Sequence, residues 1–335
     1  MSFKRFEGDD FVVSSDSITS TLWSTDTPTI TEFYTSSVQA AGSSGNFYLS
    51  VYQTSSLTNV QFDISYADSK GSGSEYYNGA VVGKSPSLSS YGQYRALILE
   101  DENKSFTFGS GNNILTTENF WVISIERARY KESLFPGSLN LKISGSNGII
   151  NLTDNSNDIL VNTFVGSSRV YQLISGSNGT AGTLANSGYV ANSGSYGLVF
   201  PELGTILLNP AAVSQSIHVE AVRTANSTNG ANNTTLYDSI VLGESFGLNS
   251  QETITSDYIF VRARNSEFNY TQNPTFISGS TGEVIYSNFV NNPQTYITTV
   301  GLYNDSNELL SIAKLSRPLI KDFTKEALLR VKLDF

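Results

Sequence analysis

The residues that could do chemistry are few and poorly grouped. His218 is the chain's single histidine. An extended backbone would put Ser216, His218, Glu220 and Val222 on one strand face, setting an imidazole beside a carboxylate. A nucleophilic triad also needs a supported serine and an oxyanion hole. No Gly-x-Ser-x-Gly elbow sits at a strand-to-helix turn, so His218 reads as an ordinary strand residue. Metal sites built on histidine pairs are excluded by the count, and sites built on cysteine by its absence. Calcium needs only oxygen ligands, which Asp154-Asn155-Ser156-Asn157-Asp158 and the knot Glu7, Asp9, Asp10 could supply. Neither matches an EF-hand loop: Ile159 stands where glycine is wanted and Val165 where the bidentate glutamate belongs. A turn capped by Asx side chains explains 154–158 more simply.

Glycan cleavage needs two carboxylates and an aromatic platform, and the acids here show no distinguishing spacing. Glycan binding by loop aromatics such as Tyr76, Tyr77 and Tyr189 is the more natural use of these residues, although aromatics at this density usually serve cores and interfaces. Gly71-Ser72-Gly73 is followed by neither strand nor helix and lacks a phosphate-binding lysine. No catalytic residue, cofactor site or metal site is assigned, and no cofactor is expected.

The elements that would position these residues are mostly strands. Phe47–Tyr52, Val60–Tyr66, Tyr94–Leu99, Phe120–Ile125 and Ser138–Ile143 are short, β-branched or aromatic, and bounded by turn residues. Val60, Phe62, Ile64 and Tyr66 alternate with Gln61, Asp63 and Ser65, the pattern of a half-buried antiparallel strand. Leu329, Val331, Leu333 and Phe335 alternate with Arg330, Lys332 and Asp334 in the same way. Arg127–Leu134 allows a turn or two of helix before Pro136-Gly137, and Ser239–Phe246 is ambiguous between strand and loop. Residues 166–197 are a mosaic of turn residues and 224–235 a low-complexity loop. The expected fold is mainly β, in antiparallel sandwich or barrel modules with long Gly/Ser/Asn-rich loops and little helix.

Three modules are expected, over residues 1–135, 136–256 and 257–335, with the middle one a possible insertion. An echo between Phe120–Tyr130 and Asp257–Phe268, each ending its apolar run in Arg-Ala-Arg, suggests two related parts, with chance as a serious competitor. ISGS recurs at Ile143, Ile174 and Ile277 without a regular period.

Composition limits the partners. Across 335 residues, 39% are hydrophobic, enough for a sizeable core, and only 15% are charged, against the roughly 25% usual in soluble domains. The net charge of −10 argues against a general grip on nucleic acid. The N-terminus runs from two basic residues straight into acids and does not read as a secretion signal, and no apolar run approaches a membrane span. Basic residues nevertheless gather near the C-terminal end, at Lys314, Arg317, Lys321, Lys325, Arg330 and Lys332. They form either a solvated face or a surface complementary to an acidic neighbour.

The stretch Thr295–Phe335 is the most motif-like. Thr295–Tyr303 and Glu308–Leu315 are two strand-like runs around Asn304-Asp305-Ser306-Asn307, which spells a β-hairpin. Val300, Gly301, Leu302, Tyr303, Asn304, Asp305, Glu308, Leu309, Leu310, Ala313 and Lys314 resemble a strand–turn–strand module that recurs in baseplate, collar and tail-fibre-attachment proteins of tailed phages. Phe3–Ser24, the Tyr-Gly-Gln-Tyr-Arg segment from Tyr91 and the segment Arg127–Leu141 extend the resemblance to virion structural proteins of contractile-tailed cyanobacterial phages, covering about half of the chain.

What this resemblance implies is a non-enzymatic structural subunit of a contractile tail, at the baseplate or its periphery, assembled in the host cytoplasm. Its partners would be other tail proteins and symmetry-related copies of itself, without nucleic acid or membrane insertion. The alternatives are a receptor- or glycan-binding module at the tail tip and a capsid decoration protein. The docking residues expected from the hairpin and the terminal strand are Val300, Gly301, Leu302, Tyr303, Asn304, Asp305, Glu308, Lys314, Arg317, Arg330 and Lys332.

Overall fold

The computed structural model describes residues 4–23, 29–35, 47–56, 59–73, 85–159, 163–182, 185–223, 231–271 and 273–334. The fold is mainly antiparallel β. The chain divides into a large unit, Ile18–Glu252, and a small unit made of Met1–Ser17 with Thr253–Phe335. The 135/136 boundary read from the sequence lies inside the large unit, and the 256/257 boundary lies close to the division at Glu252.

The large unit is organised on one antiparallel sheet. Its strand order begins Thr29–Ile30, Phe246–Gly247, Asn140–Gly145, Gly148–Asp154, Ser168–Ser177. It continues Gly197–Phe200, Thr205–Leu208, Asn119–Ile125, Val60–Asp68, Leu49–Tyr52 and Tyr34–Thr35. The central strands are buried on both faces. Along Asn119–Ile125, Trp121 and Ile123 enter one core with Phe62, Ile206 and Leu208, while Phe120 and Val122 enter a second core with Phe106, Phe108 and Phe200. Such strands read as continuous apolar runs because neither side meets water.

Val60–Asp68 corrects the half-buried reading. Gln61 and Ser65, on its polar face, are 1% and 7% exposed. A helix, Pro86–Tyr94, packs on this strand.

That helix is the clearest departure from the sequence reading, since Tyr94–Leu99 is not a strand. Pro86 opens the helix at its first turn, where a missing N–H is harmless. Arg95–Leu99 continues it as a π-helical turn that ends at Glu100, whose φ is 53°. Tyr91, Ile98 and Leu99 then fall on the core side, a spacing the apparent alternation of Tyr94, Ala96 and Ile98 conceals.

Three further segments behave likewise. Ser239–Phe246, ambiguous between strand and loop, is largely the end of a helix, Ala231–Gly243, followed by the short strand Phe246–Gly247. The helix takes in the last part of the supposed low-complexity loop; 224–230 lie outside the described residues. A Cβ on Gly243 would stand 2.1 Å from the Lys142 carbonyl oxygen, so glycine is what lets helix and strand approach here. Within the turn-rich 166–197, Ser168–Ser177 is a ten-residue central strand. Local composition loses to the apolar set Val170, Tyr171, Leu173 and Ile174, which is buried.

The small unit is two thin layers. In one, Phe11–Thr21, Asn249–Ala263 and Ala327–Asp334 are neighbours, the first and second strands each continuing past the unit's boundary. In the other, Thr295–Tyr303 pairs with Leu309–Lys321 as an isolated two-stranded hairpin. Ile259, Val300, Leu302 and Val331 are the buried residues of the core between them, with Val261, Ala313, Leu329 and Leu333 partly buried against it. The alternation read in the terminal strand holds for the described residues, though Leu329 and Leu333 are half-buried; Phe335 lies outside them. The two Arg-Ala-Arg segments differ in conformation. Arg127–Arg129 is a 3₁₀ turn, whereas Arg262-Ala263 closes a strand.

Candidate functional site

The hairpin residues singled out by the sequence divide between two opposite faces. Val300 and Leu302 point into the small core, opposite Ala313 and Ser311, and are therefore structural. Gly301 lies on the outward face opposite Ile312. A Cβ there would come within 2.9 Å of the Tyr303 ring and 3.4 Å of a Leu309 methyl. Glycine thus leaves room for the Tyr303 ring beside it.

Asn304 and Glu308 close the turn. The Asn304 amide donates to the Glu308 carboxylate at 2.8 Å, the Glu308 N–H donates to Asn304 Oδ1 at 2.8 Å, and the Asn304 N–H donates to the Glu308 carbonyl at 3.0 Å. Asn307, in the left-handed region at φ 62°, completes the reversal. Asp305 stands exposed at the tip.

Lys314 and Arg317 are exposed and make no ion pair among the described residues. Lys314 faces Thr299, and the next paired residue is Leu319 opposite Ile297, so Leu315, Ser316, Arg317 and Pro318 bulge out against the single Thr298. Proline has no N–H to give a ladder, and the bulge interrupts pairing until it resumes at Leu319.

Arg330 and Lys332 lie on the outer face of the other layer. The Arg330 guanidinium sits 5.5 Å from the centre of the Tyr258 ring and the Lys332 ammonium 6.0 Å from it. Lys332 also pairs with Asp334 at 2.8 Å; this hydrogen bond holds the lysine above its ordinary pKa and the aspartate below its own.

The basic residues gathered in sequence are therefore not one patch. Lys314 is on the outer hairpin face, Arg317 is in the bulge beside it, and Arg330 and Lys332 are on the outer sheet face. Lys325 is paired with Asp322, and Lys321 is fully buried.

The other candidates resolve as framework. His218 caps the end of helix Pro210–Ile217 in the left-handed conformation, φ 60°, not in a strand, and Ser216 bonds to Tyr196 instead. Asn209 and Pro210 supply a cap and first-turn pair that starts this helix. In 154–158, Asp154 accepts from the N–H groups of Gly137 and Ser156, Asn155 Oδ1 from that of Gln172, and Asp158 from that of Ala181. These oxygens hold turns together, as the Asx reading expects. Glu7 and Asp10 cap a single 3₁₀ turn. Among the described residues no group of three metal-ligating side chains occurs and no helix is long and apolar enough to cross a membrane. Tyr76 and Tyr77 lie outside the described residues; Tyr189 is half-buried and bonds to Ser110.

What the sequence did not single out is the amount of apolar surface on the small unit. Eighteen of the 27 large hydrophobic side chains exposed among the described residues belong to it. Leu309, Leu310 and Ile312 on the hairpin are 48%, 68% and 53% exposed, and Tyr296 is 58% exposed. On the outward hairpin face Gly301 pairs with Ile312 and Tyr303 with Leu309, while exposed Tyr296 pairs with Ile320 on the far side of the bulge. The signal was present in Leu309-Leu310, two adjacent leucines in a strand, of which a thin sheet cannot bury both. Comparison with protein-family models, curated proteins and solved structures finds no match to this chain.

Proposed function

We propose that the chain is a non-enzymatic structural subunit of a contractile phage tail, at the baseplate or its periphery, which packs its small unit against neighbouring tail subunits and copies of itself. The observation that carries the assembly half of this reading is the concentration of exposed apolar side chains on that unit. Exposed apolar side chains at this density point to a protein–protein contact, and interface cores are depleted in charge and enriched in aromatics. The tail half rests on the resemblance carried by Val300–Glu308, Ala313 and Lys314 to modules of tailed-phage virion proteins.

Neighbours would meet a mixed surface. Lys314 shares the outward strand face with Ile312, and Arg317 stands in the adjoining bulge, so a partner with acidic groups around an apolar centre fits the hairpin face. The overall charge of −10 makes nucleic acid a poor partner. Mass spectrometry of purified phage particles, separated into heads, tails and baseplates, tests the reading. The chain is expected in the tail or baseplate fraction at fixed stoichiometry, and its absence from both overturns it.

A further inference from the structure

A concavity of about 370 Å³ opens on the small unit, lined by Phe276, Tyr286, Asn288, Phe289, Asn292 and Gln294. Its walls are built locally. Phe276 is brought back to Tyr286 by a loop closed through an Ile277–Val284 bridge, with the Ser278 N–H donating to the Glu283 carbonyl at 2.8 Å and the Ile285 N–H to the Phe276 carbonyl at 2.9 Å. A short helix, Ser287–Asn291, then sets Phe289 beside them.

The Phe276 ring stands edge-on to Tyr286 at 5.3 Å and to Phe289 at 5.8 Å. Tyr286 is 53% exposed and Phe276 37%, so ring surface remains open to a ligand. Among the described residues the side-chain amides of Asn288, Asn292 and Gln294 make no hydrogen bond. Each offers two N–H donors and a carbonyl acceptor at the rim.

We infer that this concavity binds a neutral saccharide, one pyranose ring lying against the Tyr286–Phe276 corner while the amides bond its hydroxyls. Three properties select that class. The concavity, about 370 Å³ and open to solvent, has room for one sugar ring against its wall. No lining residue is charged, so a phosphate, sulfate or carboxylate would be held without a cation. A wholly apolar ligand would leave three amides facing it unpaired, at a cost of desolvation. A pyranose presents an apolar C–H face and a rim of paired donors and acceptors, which satisfies rings and amides together. The site does not depend on tail assembly, and its failure would leave the proposed function standing.

Saturation-transfer NMR on the full chain tests it, with maltose, cellobiose, lactose and N,N′-diacetylchitobiose as probes at millimolar concentration. At least one disaccharide is expected to receive saturation at its ring C–H protons. Tyr286→Ala should reduce that signal at least tenfold. Asn292→Ala, an exposed change outside the ring cluster, should weaken it severalfold and serves where Tyr286→Ala fails to fold. No transfer to any of the four sugars overturns the inference, as does equal transfer in wild type and Asn292→Ala. Binding of a proline-rich peptide at Tyr286 without any sugar would also overturn it.

Discussion

The Lys321 ammonium donates to the Asn269 side-chain oxygen at 3.1 Å, and Lys321 has no solvent-exposed surface. Its other acceptors are the carbonyls of Asn265 at 2.9 Å and Asp322 at 3.0 Å. A buried cation served by three neutral oxygens and, among the described residues, by no carboxylate forms a clamp. It ties the loop Asn265–Asn269 to the end of the hairpin, and the burial cost of the charge is offset only while all three bonds are made.

Lys321→Met should therefore destabilise the small unit by on the order of 3 kcal/mol, because the acceptors it abandons stay buried. Hydrogen exchange is the readout, with faster exchange expected in residues 265–271 and 319–322 and unchanged exchange in the Asn119–Ile125 strand. Equal exchange in both segments would show that the clamp bears no load.

The core of the small unit is so small that single truncations should be severe. Leu302 is 6% exposed and is one of the four buried members of that apolar cluster among the described residues. Leu302→Ala should cost about 2–4 kcal/mol. Leu310→Ala, at a side chain 68% exposed on the same hairpin, should change stability by less than about 0.5 kcal/mol. Urea denaturation followed by far-UV circular dichroism and by hydrogen exchange distinguishes them; similar costs at both positions would contradict the assignment of inner and outer faces.

Asp63 provides a pH test in the large unit. Burial, reinforced by Glu126, pushes its carboxyl above the ordinary value against a hydrogen bond from Ser50, and its Oδ1 is buried without a partner. Well below the ordinary carboxylate range, near pH 4, the group is protonated in both states and contributes nothing. As pH rises to neutrality the unfolded chain ionises freely while the folded chain must hold the charge half-buried, so folding weakens. Asp63→Asn should raise the melting temperature at pH 7, with the advantage fading as pH falls through the carboxylate range. A mutant equally or less stable at pH 7 would contradict this.

Legibility in the sequence followed how local each decision is. The terminal strand and the hairpin were readable because alternation and the Asn304–Glu308 turn are settled within a few residues. Tyr94–Leu99 was misread because its apolar residues fit both periods, and the deciding sign, Pro86 at a helix start, lies outside the run. His218 was misplaced for a similar reason, its helix being begun by Asn209-Pro210 some way upstream. That Gln61 and Ser65 are buried depends on a helix packing over them, which no feature of their own strand announces. On the small unit, the pairing of Phe276 with Tyr286 needs a chain reversal through Gly282, and the outward position of Leu310 depends on a two-stranded sheet having only one inner face. The division of Lys314 and Arg317 from Arg330 and Lys332 is likewise a matter of layers, invisible in a count of cations.

The proposed assembly requires that a neighbouring subunit cover the outer hairpin face. Hydroxyl-radical footprinting of the isolated chain and of purified tails reads this directly at Leu309, Leu310 and Ile312. These side chains should be oxidised readily in the isolated chain and protected severalfold in the particle, while exposed Ile149 and Leu242 of the large unit serve as internal references. Equal oxidation of the hairpin residues in both preparations would contradict the claim.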